Sequence, residues 1–296
     1  MGLFPQHLAD GLSIGFAYAL IALGFTLVFG TLKFLNFAHS ELLMFSAFVG
    51  WAVADHGKGN FLLAMVVAIA SGAAIAVTLE RALIRPVVSR SFIAPFITTL
   101  GLSMILLAIA KQLWNTEPQA FTVSFAQGSV ELGSVRVTAI QWVINGVAVA
   151  VMLVLAWLIQ RTRFGLLIRA AAENPDMAKA MGVNTGRVAS MTMAMSGVLA
   201  GISGTLLAAS FGAVSVFAGA IYGLKGMVAM IIGGIGSLRG AVLAGVLIGM
   251  GETLTTAYIS STWRDAFAFG LLIGVLLWRP AGLFGRREDR FVPAAV

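Results

Sequence analysis

A chain of 296 residues in which 59% are hydrophobic and only 10% charged lacks the polar surface of a soluble globule, whose charged share is about 25%. The absence of cysteine excludes disulfides, thiolate zinc sites, iron–sulfur clusters and a thiol nucleophile, and His7, His39 and His56 offer no i,i+4 metal pair. The formal net charge of +7, which in a soluble protein would suggest nucleic acid, has another explanation in a membrane chain, where basic residues near helix ends set topology.

A bilayer core of roughly 30 Å needs about 20 apolar residues at 1.5 Å each. Apolar stretches between charged or turn-rich breaks predict spans at 9–32, 36–54, 61–84, 92–113, 139–160, 188–211, 224–236, 240–258 and 264–280. The expected fold is an all-α polytopic bundle, one domain over 1–296, with eight to nine spans and a short or broken helix near 224–240. Met1–Asp10 lacks the positive n-region of a signal peptide, so the first apolar segment is expected to remain as a span. Between the fourth and fifth spans, 115–138 carries the alternating runs AFTVSF and SVRVTA around Gly128 and Gly133, which predict a small external hairpin.

Placing alternate loops on opposite sides puts fourteen of the nineteen Lys and Arg on one side, among them Lys33, Arg81, Arg85, Arg90, Arg239, Arg279, Arg286, Arg287 and Arg290. Lys58, Lys111, Arg136, Lys225 and Arg264 fall on the other. This asymmetry predicts an external N-terminus and a cytoplasmic C-terminus. The longest basic-side loop, 161–187, holds Arg161, Arg163, Arg169, Lys179 and Arg187. In it Asn174 suits an N-cap, Pro175 the first helical position, Asp176 the positive end of the dipole and Gly182 the C′ position. These signals predict a short helix over 175–181 with Met177, Ala178 and Met181 on one apolar face, resting on lipid headgroups or docking into a soluble partner.

Two carboxylates lie within apolar spans, Glu41 and Glu252. An ionisable group at membrane depth costs at least about 2.5 kcal/mol, so it faces an aqueous path or a bundle interior, or pairs with a neighbouring donor. Asn36, His39, Ser40 and Glu41 crowd four polar groups into six residues, with Asn36 and Ser40 on one helical face by i,i+4 spacing. These four and Glu252 are the candidate residues of a transport path. Small-xxx-small pairs recur at Gly11 and Gly15, Gly197 and Gly201, Gly219 and Gly223, Gly236 and Gly240, Gly245 and Gly249, and Gly270 and Gly274, allowing close helix approach. The run Gly233, Gly234, Ile235, Gly236, Ser237, Leu238, Arg239, Gly240 predicts a broken helix or tight re-entrant turn. Neither GxGxxG nor GxxxxGK[ST] occurs there, so no nucleotide or other cofactor is expected in this chain.

The stretches GLSIGFAYALIALGFTLVFGTLKFLNFAHSELLMFSAF (11–48), ERALIRPV (80–87), RTRFGLLIRAAAENPDMAKAMGVNTGRV (161–188) and GLKGMVAMIIGGIGSLRGAVLAGVLIG (223–249), in that order, resemble LivH-type permeases. These are the membrane subunits of ATP-binding-cassette importers for branched-chain amino acids. Ser40 stands where that family's INFAHGE signature has Gly. The resemblance implies a multi-pass inner-membrane protein that does no covalent chemistry. It also implies a LivM-like partner permease, two cytoplasmic ATPases and a periplasmic binding protein. By the same likeness 170–184 is a coupling segment: Glu173, Asp176 and Lys179 would make polar contacts while Met177 and Met181 fill a groove in the ATPase, on a helix capped by Asn174 and Gly182. The likeness leaves open aromatic acids, amides or urea as substrates, and a second copy of the chain as the permease partner. From the residues alone, a secondary transporter with a proton on Glu41 or Glu252 and an integral membrane enzyme also stand as alternatives; no acid–base–nucleophile set favours the latter.

Overall fold

The computed structural model describes residues 3–56, 60–88, 91, 93–122, 128–132 and 135–285. In chain order come α1 (Phe4–Leu32), α2 (Ala38–His56) and α3 (Phe61–Leu79), which runs through a π turn (Glu80–Ile84) into α4 (Arg85–Val88). Then come α5 (Ala94–Trp114), β1 (Gln119–Ala120), β2 (Ser129–Leu132), β3 (Val135–Thr138), α6 (Ala139–Arg161), α7 (Arg163–Glu173) and α8 (Pro175–Ala180). The chain closes with α9 (Thr185–Phe211), β4 (Ala213–Val214), α10 (Ala218–Gly233), α11 (Leu238–Tyr258), a 3-10 turn (Ser261–Trp263) and α12 (Arg264–Trp278).

Among the described residues, six helices are long and apolar enough to cross a membrane: 4–32, 61–88, 94–114, 139–161, 185–211 and 238–258. Two more, 38–54 and 218–233, are apolar but shorter. The count of eight to nine is therefore not reached on length and composition, because α10 has 16 residues and α12 has 15, below the roughly 20 of a full crossing.

Glycine sets how these helices meet. A Cβ on Gly15 would stand 2.7 Å from Val246 Cα, and one on Gly245 would stand 2.6 Å from Ala19 Cα, so α1 and α11 run antiparallel with their backbones in contact. Gly197 and Gly201 lie in the same way on Gly72 and Ala68, joining α9 to α3. Middle stretches of α1, α2 and α9 are buried almost all round and form the centre. In contrast, α5 touches that centre through one stripe, Pro95, Thr99, Leu102, Leu106 and Ala110, and leaves Ile97, Met104 and Leu113 exposed, the pattern of a helix facing lipid.

Contacts between loops sort the helix ends into two groups. At one end β1 pairs with β4, Trp51 Nε1 donates to Ala120 O at 3.0 Å, and Gln6 Nε2 donates to Arg136 O at 3.0 Å. At the other, Arg85 Nη2 donates to Gly186 O at 2.8 Å and Gly30 faces Gly236. The long helices thus alternate in direction along the chain. A hairpin does form in the 115–138 loop, with register Ser129↔Thr138 to Leu132↔Val135; its turn, including Gly133, lies outside the described residues. Ala120, which opens the first run, pairs with Ala213, and Gln119 before it with Val214, while 123–127 lie outside the described residues. Gly212, at φ +67, reverses the chain after α9, and its carbonyl accepts Phe121 N–H at 2.9 Å.

Candidate functional site

The link between α1 and α2 is the first irregular feature inside the bundle. Lys33, at φ 60, ends α1 in the left-handed region, and Thr99 Oγ1 of α5 donates to Leu35 O at 3.2 Å, holding the link against its neighbour. The His39 ring lies directly over Gly24, eight residues before Leu32. At 1.5 Å per residue, α2 therefore starts about 12 Å back inside the bundle from the end of α1.

The cluster Asn36, His39, Ser40 and Glu41 is split between two neighbouring helices. Asn36 precedes the helix, so its i,i+4 relation to Ser40 does not hold. Its Nδ2 reaches Met193 Sδ at 3.7 Å, and His39 Nδ1 pairs with Ser196 Oγ at 2.9 Å, both on α9. Ser40 and Glu41 turn instead toward α10, where Gly223 lies on Ser40 and a Cβ on Gly219 would stand 2.8 Å from Glu41 Oε2. The first turns of α2 and α10 thus lie side by side. Asn36 Oδ1, His39 Nε2, Glu41 Oε2 and Thr192 Oγ1 are buried with no hydrogen-bond partner among the described residues. Such orphaned groups are rare in packed interiors and concentrate where function needs them or where water enters.

Glu252 is on the other side of α10 and is met by two cations and a hydroxyl. Lys225 Nζ sits 2.7 Å from its Oε1, while Arg264 Nε at 2.8 Å and the Tyr18 hydroxyl at 2.9 Å donate to its Oε2. Arg264 Nη2 also donates to Tyr18 Oη at 3.0 Å, and Lys225 pairs with Asp265 at 2.9 Å. Two cations and two carboxylates balance, joining α1, α10, α11 and the start of α12. Sequence reasoning missed Tyr18, Lys225, Arg264 and Asp265, having placed Lys225 in an external loop. The span starts at Ala218 rather than 224, which puts Lys225 in mid-helix with its side chain 4% exposed. A lysine inside GLKGMVAMIIGG was the available signal, since a buried ammonium requires a counter-charge.

The run 233–240 is a tight hairpin turn at the bundle end, not a break within a helix. Gly234 (φ +102) and Gly236 (φ +83) hold conformations that other residues resist, and Ser237 Oγ accepts Gly240 N–H at 3.2 Å to start α11. Gly233 and Gly240 touch backbone to backbone, and Arg239 is exposed beside them. Leu283 N–H donates to Ile232 O at 2.8 Å and Phe284 N–H to Gly233 O at 3.0 Å, so the tail after α12 satisfies the last carbonyls of α10.

At the same end, the 161–187 loop is more helical than expected, since α7 precedes the short helix. Asn174 caps α8, accepting from Asp176 N at 3.1 Å and Met177 N at 3.0 Å; the helix ends at Ala180, one residue early, and Gly182 takes φ +83. Glu173, Asn174, Asp176, Met177, Lys179, Met181 and Gly182 are all exposed. Only Ala178 of α8 is buried, which leaves Met177 66% and Met181 84% exposed. A clamp ties the loop to α3: Arg85 binds both Glu80 oxygens at 2.8 and 2.9 Å, donates to Ser190 Oγ at 2.7 Å, and Ser190 Oγ donates to Glu80 Oε2 at 2.7 Å. Glu80 is buried in the π turn, so the clamp links the base of the loop to an irregular point in a long helix. Among the described residues no three His, Asp or Glu side chains converge as a metal site.

Residues 7–276 match the family model for the branched-chain amino acid transport system / permease component. The chain is 34% identical to the high-affinity branched-chain amino acid transport system permease protein LivH of Escherichia coli (strain K12), over 96% of each chain. It is 32% identical to BraD, the corresponding permease protein of Pseudomonas aeruginosa, over 96% of this chain and 97% of that one. A probable LivH of Methanocaldococcus jannaschii is 27% identical over 90% of this chain and 88% of the relative.

Proposed function

Since this chain belongs to the branched-chain amino acid transport system permease family and is a transport subunit rather than an enzyme, we propose that it forms half of the membrane channel of an ATP-driven importer for branched-chain or other hydrophobic amino acids. A periplasmic binding protein delivers the substrate, a LivM-like permease supplies the other half, and two cytoplasmic ATPases drive the cycle. The chain sits in the bacterial inner membrane with nine crossings, α2, α10 and α12 among them, its N-terminus periplasmic and its C-terminus cytoplasmic. The alternation of helix direction and the basic residues of the Gly236 end support this orientation.

One observation carries the reading: Met177 in the capped helix α8 and Met181 just after it are both exposed at the basic end of the bundle. Methionine adapts to an apolar groove, and an exposed pair outside the membrane matches a docking surface better than a solvated loop. Glu173, Asp176 and Lys179 supply the polar rim. The clamp from Arg85 to Glu80 and Ser190 gives the loop a stiff connection to α3 and α9, the physical link that coupling needs. Asn36, His39, Ser40 and Glu41 line the path. Glu252 acts in packing, because its charge is met by Lys225 and Arg264, an arrangement that weighs against a free coupling proton there.

The energy source tests this. Vesicles holding the full complex should accumulate leucine with ATP after the proton gradient is collapsed, and should stop when the ATPases are omitted. Uptake that follows the gradient and ignores the ATPases would remove the reading.

A further inference from the structure

Among the described residues Glu41, Glu80 and Glu252 are buried, and of these Glu80 pairs with Arg85 and Glu252 with Lys225 and Arg264. Glu41 is 3% exposed, its Oε2 has no hydrogen-bond partner, and it closes no ion pair among the described residues. Lys111 in the last turn of α5 is placed near it through α10, because Phe217, which Lys111 faces, lies two residues before Gly219, which faces Glu41. The Lys111 ammonium is exposed and stands 5.4 Å from the centre of the Phe217 ring, at the entry to α10.

Neighbouring contacts fix this arrangement. Trp114, three residues beyond Lys111, stacks on Phe48 at 4.8 Å and meets Phe45 edge-on at 5.0 Å, so the end of α5 lies along the early turns of α2. On the other flank, Gly219 of α10 carries no side chain where a Cβ would crowd Glu41 Oε2 at 2.8 Å. A carboxylate, an ammonium that closes no ion pair among the described residues and an aromatic ring therefore come together where α2, α5 and α10 converge.

We propose that Glu41 and Lys111 form a subsite for the zwitterionic head of an α-amino acid, Glu41 accepting from its ammonium and Lys111 donating to its carboxylate. The inference rests on the amino-acid reading above and narrows it. An α-amino acid places both charges on one carbon, so a single ligand supplies the two missing counter-charges that neither residue gives the other. Recognition falls on the head and leaves the side chain against Phe217 and Phe45, which suits a path tolerant of different apolar side chains. Sugars, urea and acids without an amino group cannot complete both contacts.

The absence of cysteine makes a direct test practical. Single cysteines at Ser40 or at the exposed Ala220 report access beside Glu41, and two reporters guard against one disturbing the contact between Ser40 and Gly223. In the full complex in vesicles, labelling by a water-soluble thiol reagent should slow about tenfold in leucine at ten times its Kd, by mass action. Neither 4-methyl-2-oxopentanoate, which lacks the amine, nor 3-methylbutylamine, which lacks the carboxylate, should protect, and Glu41→Gln or Lys111→Gln should abolish protection by leucine. Equal protection by either analogue, or none by leucine at both reporters, overturns the subsite. Wild-type vesicles run in parallel separate the two claims: ATP-driven leucine uptake without protection refutes the subsite alone, whereas no leucine uptake at all refutes both.

Discussion

Lys225 Nζ lies 2.7 Å from Glu252 Oε1, with the two side chains 4% and 0% exposed. Inside a low-dielectric bundle the attraction offsets desolvation only while both charges are present; removing one partner of such a pair costs about 3–5 kcal/mol. Glu252→Gln should therefore lower the unfolding midpoint of the detergent-solubilised chain sharply. Lys225→Met with Glu252→Gln should lose less than the sum of the single changes, since the two residues share one network. Additive losses in a double-mutant cycle would show that the pair is not coupled.

Glycine positions give a second contrast. Gly15 faces the backbone of Val246, whereas nothing lies within 4 Å of a Cβ built on Gly274. Gly15→Val must separate α1 from α11, and we expect the protein to elute as aggregate in size-exclusion chromatography. Gly274→Ala, in open space, should change stability by no more than about 0.5 kcal/mol.

The Arg85 clamp should be intolerant of lysine. Arg85 spans both Glu80 oxygens while also reaching Gly186 O and Ser190 Oγ, a planar fork that a single ammonium does not reproduce. Arg85→Lys should keep the protein in the membrane yet raise the ATP hydrolysed per amino acid imported, because the loop is less firmly tied to α3. An unchanged ratio, measured as phosphate released against labelled leucine accumulated, would assign the clamp to folding alone.

Much of this was legible in the sequence because the signals are local. Caps at Asn174 and Gly182, and apolar runs bounded by charge, depend on residues a few positions apart. The span over 224–236 was misjudged for the opposite reason. Lys225 reads as a loop residue until Glu252 and Asp265, far along the chain, are known to meet it. Asn36 was assigned to a helix face because periodicity does not reveal that α1 ends at Leu32 and α2 begins only at Ala38. Likewise the pairing of Ala120 with Ala213 joins segments that share no turn, so the residue that opens AFTVSF had no local cue to its partner. The Arg85 clamp was invisible in the same way, since Ser190 is an ordinary helix serine until the fold brings it to Glu80.

The central claim, that this chain converts ATPase motion into transport through α8, is tested most directly by measuring ATP hydrolysis and leucine uptake together in vesicles bearing Met177→Asp and Met181→Asp. Both side chains are exposed, so the substitutions should leave membrane insertion intact while placing charge in the apolar groove of the ATPase. The account requires leucine uptake to collapse while hydrolysis no longer responds to the loaded binding protein. Uptake at the wild-type rate, at equal protein in the membrane, would contradict it.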